Sequence, residues 1–240
     1  MAERITPGSP EWAARLAELK EAPLSERRAE LHRLADGARG VLHRLVQTSA
    51  PLELISAAAD DLERLAAAFA EHPSSSIYEG FAEAANAGEP FAFFDHSPVL
   101  GRANPLAPPL VMHLDGDRMI GEVTFGAAYE GPPGCVHGGY VAAAFDEFLG
   151  ATQSLSGAPG MTARLEVDYR SPTPLHTELT FTGWLDEVDG RKIHTKGQLH
   201  AGTTLCAEAH GLFISIDIMR FAELKLKREE RKRALADGDA

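Results

Sequence analysis

The chain has 240 residues, enough for one sizeable core with appendages. With 35 acidic against 23 basic residues, its formal net charge of -12 opposes a polyanion over most of the surface and argues against nucleic acid as a partner. The two cysteines, Cys135 and Cys206, are far apart and form no C-x-x-C pattern, so neither a disulfide framework nor a bound metal is expected.

Met1 to Pro10 shows no basic region followed by an apolar core, and no later stretch approaches about 18 uninterrupted apolar residues. The expectation is a cytoplasmic protein without membrane insertion. From Pro10 to about His72 the chain is rich in Ala, Leu, Glu and Arg, with apolar residues three and four apart: Trp12, Leu16 and Leu19; Leu31, Leu34, Val41, Leu42 and Leu45; Leu52, Ile55, Leu62, Leu65 and Phe69. That spacing predicts two or three amphipathic helices, an N-terminal helical extension over residues 1–75. Six prolines between Pro73 and Pro109 then break regular structure, and Phe91, Phe93 and Phe94 suggest that this segment, residues 76–108, still packs as a cover.

Residues 109–217 read as the main folded unit. Leu110 to Leu114 and Met119 to Phe125 flank Asp115-Gly116-Asp117, which predicts a β-hairpin. After Gly131-Pro-Pro-Gly134, the segment from Gly138 to about Ser154 carries Val141, Ala142, Phe145, Phe148 and Leu149 at helical spacing. This helix reads as apolar on most sides and therefore buried, with Asp146 and Glu147 its main interruption. Met161 to Arg170, Leu175 to Val188, Lys192 to Ala201 and Thr204 to Asp217 read as four strands of an antiparallel meander. One sheet curled around one central helix, an α+β unit, accommodates this order. Residues 218–240, with Phe221, Leu224 and Leu226 among many charges, read as a surface helix and frayed tail.

The chemistry concentrates in Gly131-Pro-Pro-Gly-Cys-Val-His-Gly-Gly-Tyr-Val-Ala-Ala-Ala-Phe-Asp146. A turn delivers His137-Gly138-Gly139 to the start of a helix, where free backbone N–H groups and the positive end of the helix dipole can receive a developing oxyanion. Glycine there lets a substrate carbonyl approach the backbone. Asp146 follows eight residues after Gly138, about two turns and ~12 Å along the axis. A carboxylate on so apolar a helix is costly unless it has a task or a partner, which makes Asp146 the leading functional candidate. Glu147 points roughly 100° away and suits a structural role.

This motif, with Gly157-Ala-Pro-Gly-Met-Thr162 and Tyr169-Arg-Ser-Pro-Thr-Pro-Leu175, resembles the hotdog-fold thioesterases of the phenylacetyl-CoA (PaaI-like) type over roughly Pro108 to Asp217. The resemblance implies a hotdog fold and hydrolysis of acyl-CoA thioesters without a cofactor. It implies a catalytic acid at Asp146, an oxyanion donor at the Gly138 N–H beside His137, substrate contact at Gly139, and a positioning hydroxyl at Thr162. It also implies a homodimer or dimer of dimers with active sites built between subunits. Some relatives place a polar residue such as Asn six positions before the His; here that position is Gly131, so no such role carries over. Two other functions fit the same ligand: a hotdog-fold acyl thioester hydratase, which needs a His and an acid paired for proton transfer, and a non-catalytic acyl-CoA sensor.

Overall fold

The computed structural model describes residues 24–72, 95–158 and 160–216. The expected helix near Trp12, the phenylalanines at 91, 93 and 94, and the charged tail lie outside these residues. Six antiparallel strands form one sheet: β1 (Val111–Asp115), β2 (Arg118–Thr124), β3 (Gly160–Tyr169), β4 (Glu178–Asp189), β5 (Lys192–Ala201) and β6 (Thr204–Ser215). Two helices, α1 (Glu26–Leu45) and α2 (Leu52–Ala70), precede it, and α3 (Gly138–Gln153) is inserted between β2 and β3. A curled sheet around one long helix is the hotdog arrangement, as expected.

The expected meander of four strands holds for three of them. Strands β4, β5 and β6 follow one another through tight turns, but β3 pairs only with β6, giving the order β1-β2-β4-β5-β6-β3. Helix α3 touches β2 to β6 as it crosses the sheet, so the chain that leaves it arrives at the far edge. The strand expected from Leu175 begins at Glu178. Prolines 172 and 174 and the left-handed backbone of His176 (φ 54°) turn the chain first, and the His176 N–H is satisfied by the Phe125 carbonyl at 2.8 Å.

Burial alternates along β4, with Leu179, Phe181 and Gly183 facing the helix and Thr180, Thr182 and Trp184 facing outward. The helix contributes Val141, Ala144, Phe145, Phe148 and Leu149, all at most 1% exposed. The Phe145 and Phe148 rings lie 4.9 and 5.1 Å from that of Phe181. Such close seating depends on Gly183, where an added Cβ would stand 2.7 Å from the Phe148 ring. The helix is nevertheless not buried on most sides. Gly139, Tyr140 and Asp146 are exposed and Ala142, Ala143, Glu147 and Gly150 half-exposed, because the sheet covers only one face.

Helix α1 is docked on this unit through its basic side chains. Arg28 and His32 both bond to the buried carboxylate of Asp95. Arg39 donates to the Ala107 and Asn104 carbonyls at 2.7 and 3.0 Å, and His43 Nδ1 accepts from the Ala128 N–H at 3.0 Å. These contacts satisfy polar backbone that proline-rich, irregular chain cannot pair with itself. Helix α2 buries no residue; Leu52, Leu54, Ile55, Leu62, Leu65 and Phe69 are all exposed.

Burial alone would push the Asp95 carboxyl up, but the hydrogen bonds and charges of Arg28 and His32 outweigh it and hold it below the usual carboxylate value. Asp95→Ala should destabilise the fold by about 3 kcal/mol in urea titrations at pH 7. Because the folded state favours ionised Asp95, that difference should be complete above about pH 4 and shrink as pH falls through the lower folded value. A difference independent of pH would contradict the role of the charge.

Candidate active site

The site is built where the turn 130–137 feeds α3. Cross-bridges pair Glu130 with Val136 and Cys135 with Pro174. The Gly131 N–H donates to the Cys135 carbonyl at 2.9 Å and the Val136 N–H to the Thr173 carbonyl at 2.8 Å. The loop closes so tightly that a Cβ on Gly131 would lie 2.7 Å from His137 Cα. A side chain at this position, as some hotdog thioesterases have, would thus require the loop to move.

His137 is the N-cap of α3: its extended backbone (φ -61°, ψ 130°) precedes the helix, and its ring Nδ1 accepts from the Gly139 N–H at 3.0 Å. A backbone N–H can only donate, so this bond requires an unprotonated Nδ1 and places the proton of a neutral ring on Nε2. The His137 N–H in turn donates to the Tyr129 carbonyl at 2.8 Å, and its carbonyl accepts from Tyr140 and Val141. Tyr129 is 3% exposed and donates its hydroxyl to the Leu106 carbonyl. Burial pushes its phenol up to about 12, so it remains a donor at ordinary pH. Its ring meets those of His43 from α1 (5.4 Å) and Tyr140 from α3 (4.9 Å) edge-on.

One donor in this turn is left over. The N–H groups of His137, Gly139, Tyr140 and Val141 all have acceptors, whereas that of Gly138 has none among the described residues. Gly138 is half-exposed at the positive end of α3. This is the N–H to which the resemblance assigned an oxyanion role.

Asp146 lies two turns further on the uncovered face of the same helix, exposed and without a hydrogen-bonding partner among the described residues. The cost of burying its charge therefore does not explain its presence in a single chain, contrary to the reading of α3 as buried on most sides. Glu147 has the structural partner its direction suggested, accepting from Ser97 Oγ at 2.9 Å and tying α3 to the segment before β1. Thr162 lies on the outer edge strand β3, exposed and opposite Phe213, where the register shifts before Arg164. Gly139 is exposed, with its N–H engaged by His137.

Two further residues support the site. Tyr169, quoted within a motif but given no role by sequence reasoning, donates its hydroxyl to the Gly138 carbonyl at 2.7 Å. Gln153 is buried at the end of α3. With its amide oriented to suit its neighbours, its nitrogen donates to the Ala158 carbonyl at 3.0 Å and its oxygen accepts from the Gly160 N–H at 3.3 Å, fixing the loop that leads to Thr162. No spacing rule in the sequence points to either contact.

A curled sheet around a helix that opens on an unpaired glycine N–H and carries an exposed carboxylate two turns later defines a class of site rather than a single protein. The family model described as "Thioesterase superfamily" matches residues 133–208, a span that contains His137, Gly138, Gly139, Asp146 and Thr162. A crystal structure of a thioesterase superfamily protein is 36% identical and superposes with a TM-score of 0.66, covering 77% of this chain and 94% of that one. The chain belongs to the thioesterase superfamily. Among curated proteins it is similar to acyl-coenzyme A thioesterase THEM4 of Xenopus laevis, at 37% identity over 41% of this chain and 46% of that protein. It is also 28% identical to acyl-coenzyme A thioesterase THEM5 of Homo sapiens, over 39% of this chain and 38% of that protein. The chain thus spans less than half the length of these curated relatives.

The cap geometry generates a direct test. His137→Ala should lose about 1 kcal/mol of stability as the Gly139 N–H loses its acceptor, and His137→Asn, which supplies a shorter acceptor, should recover most of it. Equal unfolding midpoints for all three proteins would show that the ring does not cap the helix.

Proposed function

We propose that this protein hydrolyses acyl-CoA thioesters to the free acid and coenzyme A. The observation that carries this reading is the Gly138 N–H at the start of α3, which has no acceptor among the described residues, on the helix that also exposes Asp146. The curated relatives named as acyl-coenzyme A thioesterases support the substrate class. In this mechanism the Gly138 N–H binds the thioester oxygen and stabilises it as charge develops, and Gly139 lines the approach of the acyl carbonyl. Asp146 acts as general base on water or as nucleophile on the carbonyl, and the Thr162 hydroxyl orients water or substrate. The CoA thiolate is a good leaving group, which fits a site with few proton donors. His137 serves by holding the turn. Its one lone-pair nitrogen is engaged by Gly139, which also speaks against the His-based proton transfer of a hydratase.

Reach favours a site shared between two copies. Gly138 and Asp146 of one chain are ~12 Å apart along α3, whereas a bound carbonyl spans about 3 Å to its donor and about 3–3.5 Å to its attacker. One thioester cannot bridge both from the same helix, so each site pairs Gly138 of one copy with Asp146 of another. A homodimer or dimer of dimers supplies that arrangement. The uncovered edge of β3 and the exposed apolar stripe of α2 are surfaces such an assembly would cover. The helical extension 1–75 and the cover 76–108 then brace the catalytic unit, 109–217, rather than supply its reacting groups. The unpaired cysteines Cys135 and Cys206 accord with a cytoplasmic setting.

Assayed against an acyl-CoA panel for free thiol, Asp146→Asn should lose at least ~10²-fold in turnover. Its melting temperature should stay unchanged, because the carboxylate is exposed. Thr162→Ala should lose less, and Thr162→Ser should retain most activity because its hydroxyl remains. Near-normal kcat in folded Asp146→Asn would refute the assignment. Sedimentation at assay concentrations should find no active monomer, and finding one would refute the shared site.

A further inference from the structure

The free donor on Gly138 is useful only if its direction is held, and the described bonds hold it unevenly. On the amino side, the His137 N–H is anchored on the Tyr129 carbonyl, and the His137 carbonyl, in the same peptide as the Gly138 N–H, accepts from Tyr140 and Val141; beyond Gly138, the next peptide is held at its N–H by the His137 ring. On the carboxyl side, the first peptides of a helix are those most prone to fray, and glycine at both 138 and 139 offers no side chain to stop them turning. The side-chain bond that restrains the Gly138 carbonyl comes from the other end of the sheet's outer strand: the Tyr169 hydroxyl, 2.7 Å away.

Tyr169 is well placed to act as a stop. It is the last residue of β3, paired with Ala207 of β6. The chain immediately after it is secured where the Arg170 and Ser171 N–H groups both donate to the Cys206 carbonyl, at 2.8 and 3.1 Å. The ring lies close enough to Gly138 that an added Cβ there would meet Tyr169 Cζ and Oη at 3.3 Å. The ring itself is about half exposed (53%), so core packing does not explain it. An exposed phenol that spends its hydroxyl on one carbonyl at the mouth of a helix is positioned for that carbonyl.

We propose that Tyr169 is a positioning residue for the oxyanion donor: by holding the Gly138 carbonyl it keeps the first turn of α3 from twisting and aims the Gly138 N–H at the developing oxyanion. This rests on the thioesterase reading above. The bond acts on the orientation of a donor that matters most in the transition state, so it affects kcat more than substrate binding.

Tyr169→Phe keeps the ring and deletes only the hydroxyl. In the full-length protein, kcat for an accepted acyl-CoA should fall about 10-fold, with KM within about twofold and an unchanged melting temperature. Tyr169→Ala should lose little more turnover than Tyr169→Phe. Turnover in Tyr169→Phe within twofold of the parent, a change confined to KM, or a loss seen only in Tyr169→Ala would each overturn the proposal, the last by assigning the role to ring packing. Asp146→Asn measured alongside separates the two claims. If it is inactive while Tyr169→Phe is fully active, the positioning role alone fails; if it is fully active, the site reading fails and this proposal with it.

Discussion

The rotation of α3 about its own axis is the constraint on which the rest depends. Phe145 and Phe148 are seated against Phe181, and Gly183 allows the Phe148 ring to sit close to the sheet. Burying two such rings is worth several kcal/mol, far more than any contact on the opposite face. That burial leaves no freedom in where the remaining positions point. Asp146, next to Phe145 in sequence, is turned out of the core, and the helix start at Gly138 is presented at the surface.

A second layer of constraint surrounds the helix start. Six backbone N–H groups between residues 131 and 141 donate to carbonyls within residues 129–141 or to the His137 ring, and the Gly138 N–H has no acceptor among the described residues. An unpaired donor at a helix terminus is tolerated because it is solvated, and it is useful because solvent can be replaced by a substrate carbonyl. Helix α1 reaches the same region from behind. His43 supports both the Ala128 N–H and the Tyr129 ring, and Tyr129 carries the His137 N–H on its carbonyl. The extension is therefore mechanically continuous with the turn, although its own side chains stop short of Gly138. Helix α2 shares none of this, since all its residues face outward.

The exposed position of Asp146 changes the physical argument for its role. On an apolar helix a carboxylate first looks like an unpaid desolvation cost, and the fold removes that cost by leaving one face uncovered. What keeps Asp146 a candidate is its exposure on the helix that begins at the Gly138 N–H. The edge strand β3 and the apolar stripe of α2 are likewise exposed.

By itself the sequence determined most of the elements and which residues are candidates for chemistry. Local periodicity and turn residues were enough for the first hairpin, α3 within one residue, and the limits of β5, and the string from Gly131 to Gly139 was enough for the turn that starts α3, because all of these depend on neighbours in the chain. Only the tertiary structure decided the rest. It placed β3 on the far edge because α3 crosses the sheet, turned Asp146 outward because aromatic packing sets the helix rotation, and gave Glu147 to Ser97 and the Gly138 carbonyl to Tyr169, 50 and 31 residues away. Contacts at such separations follow from how whole surfaces stack, which no local pattern of residues encodes.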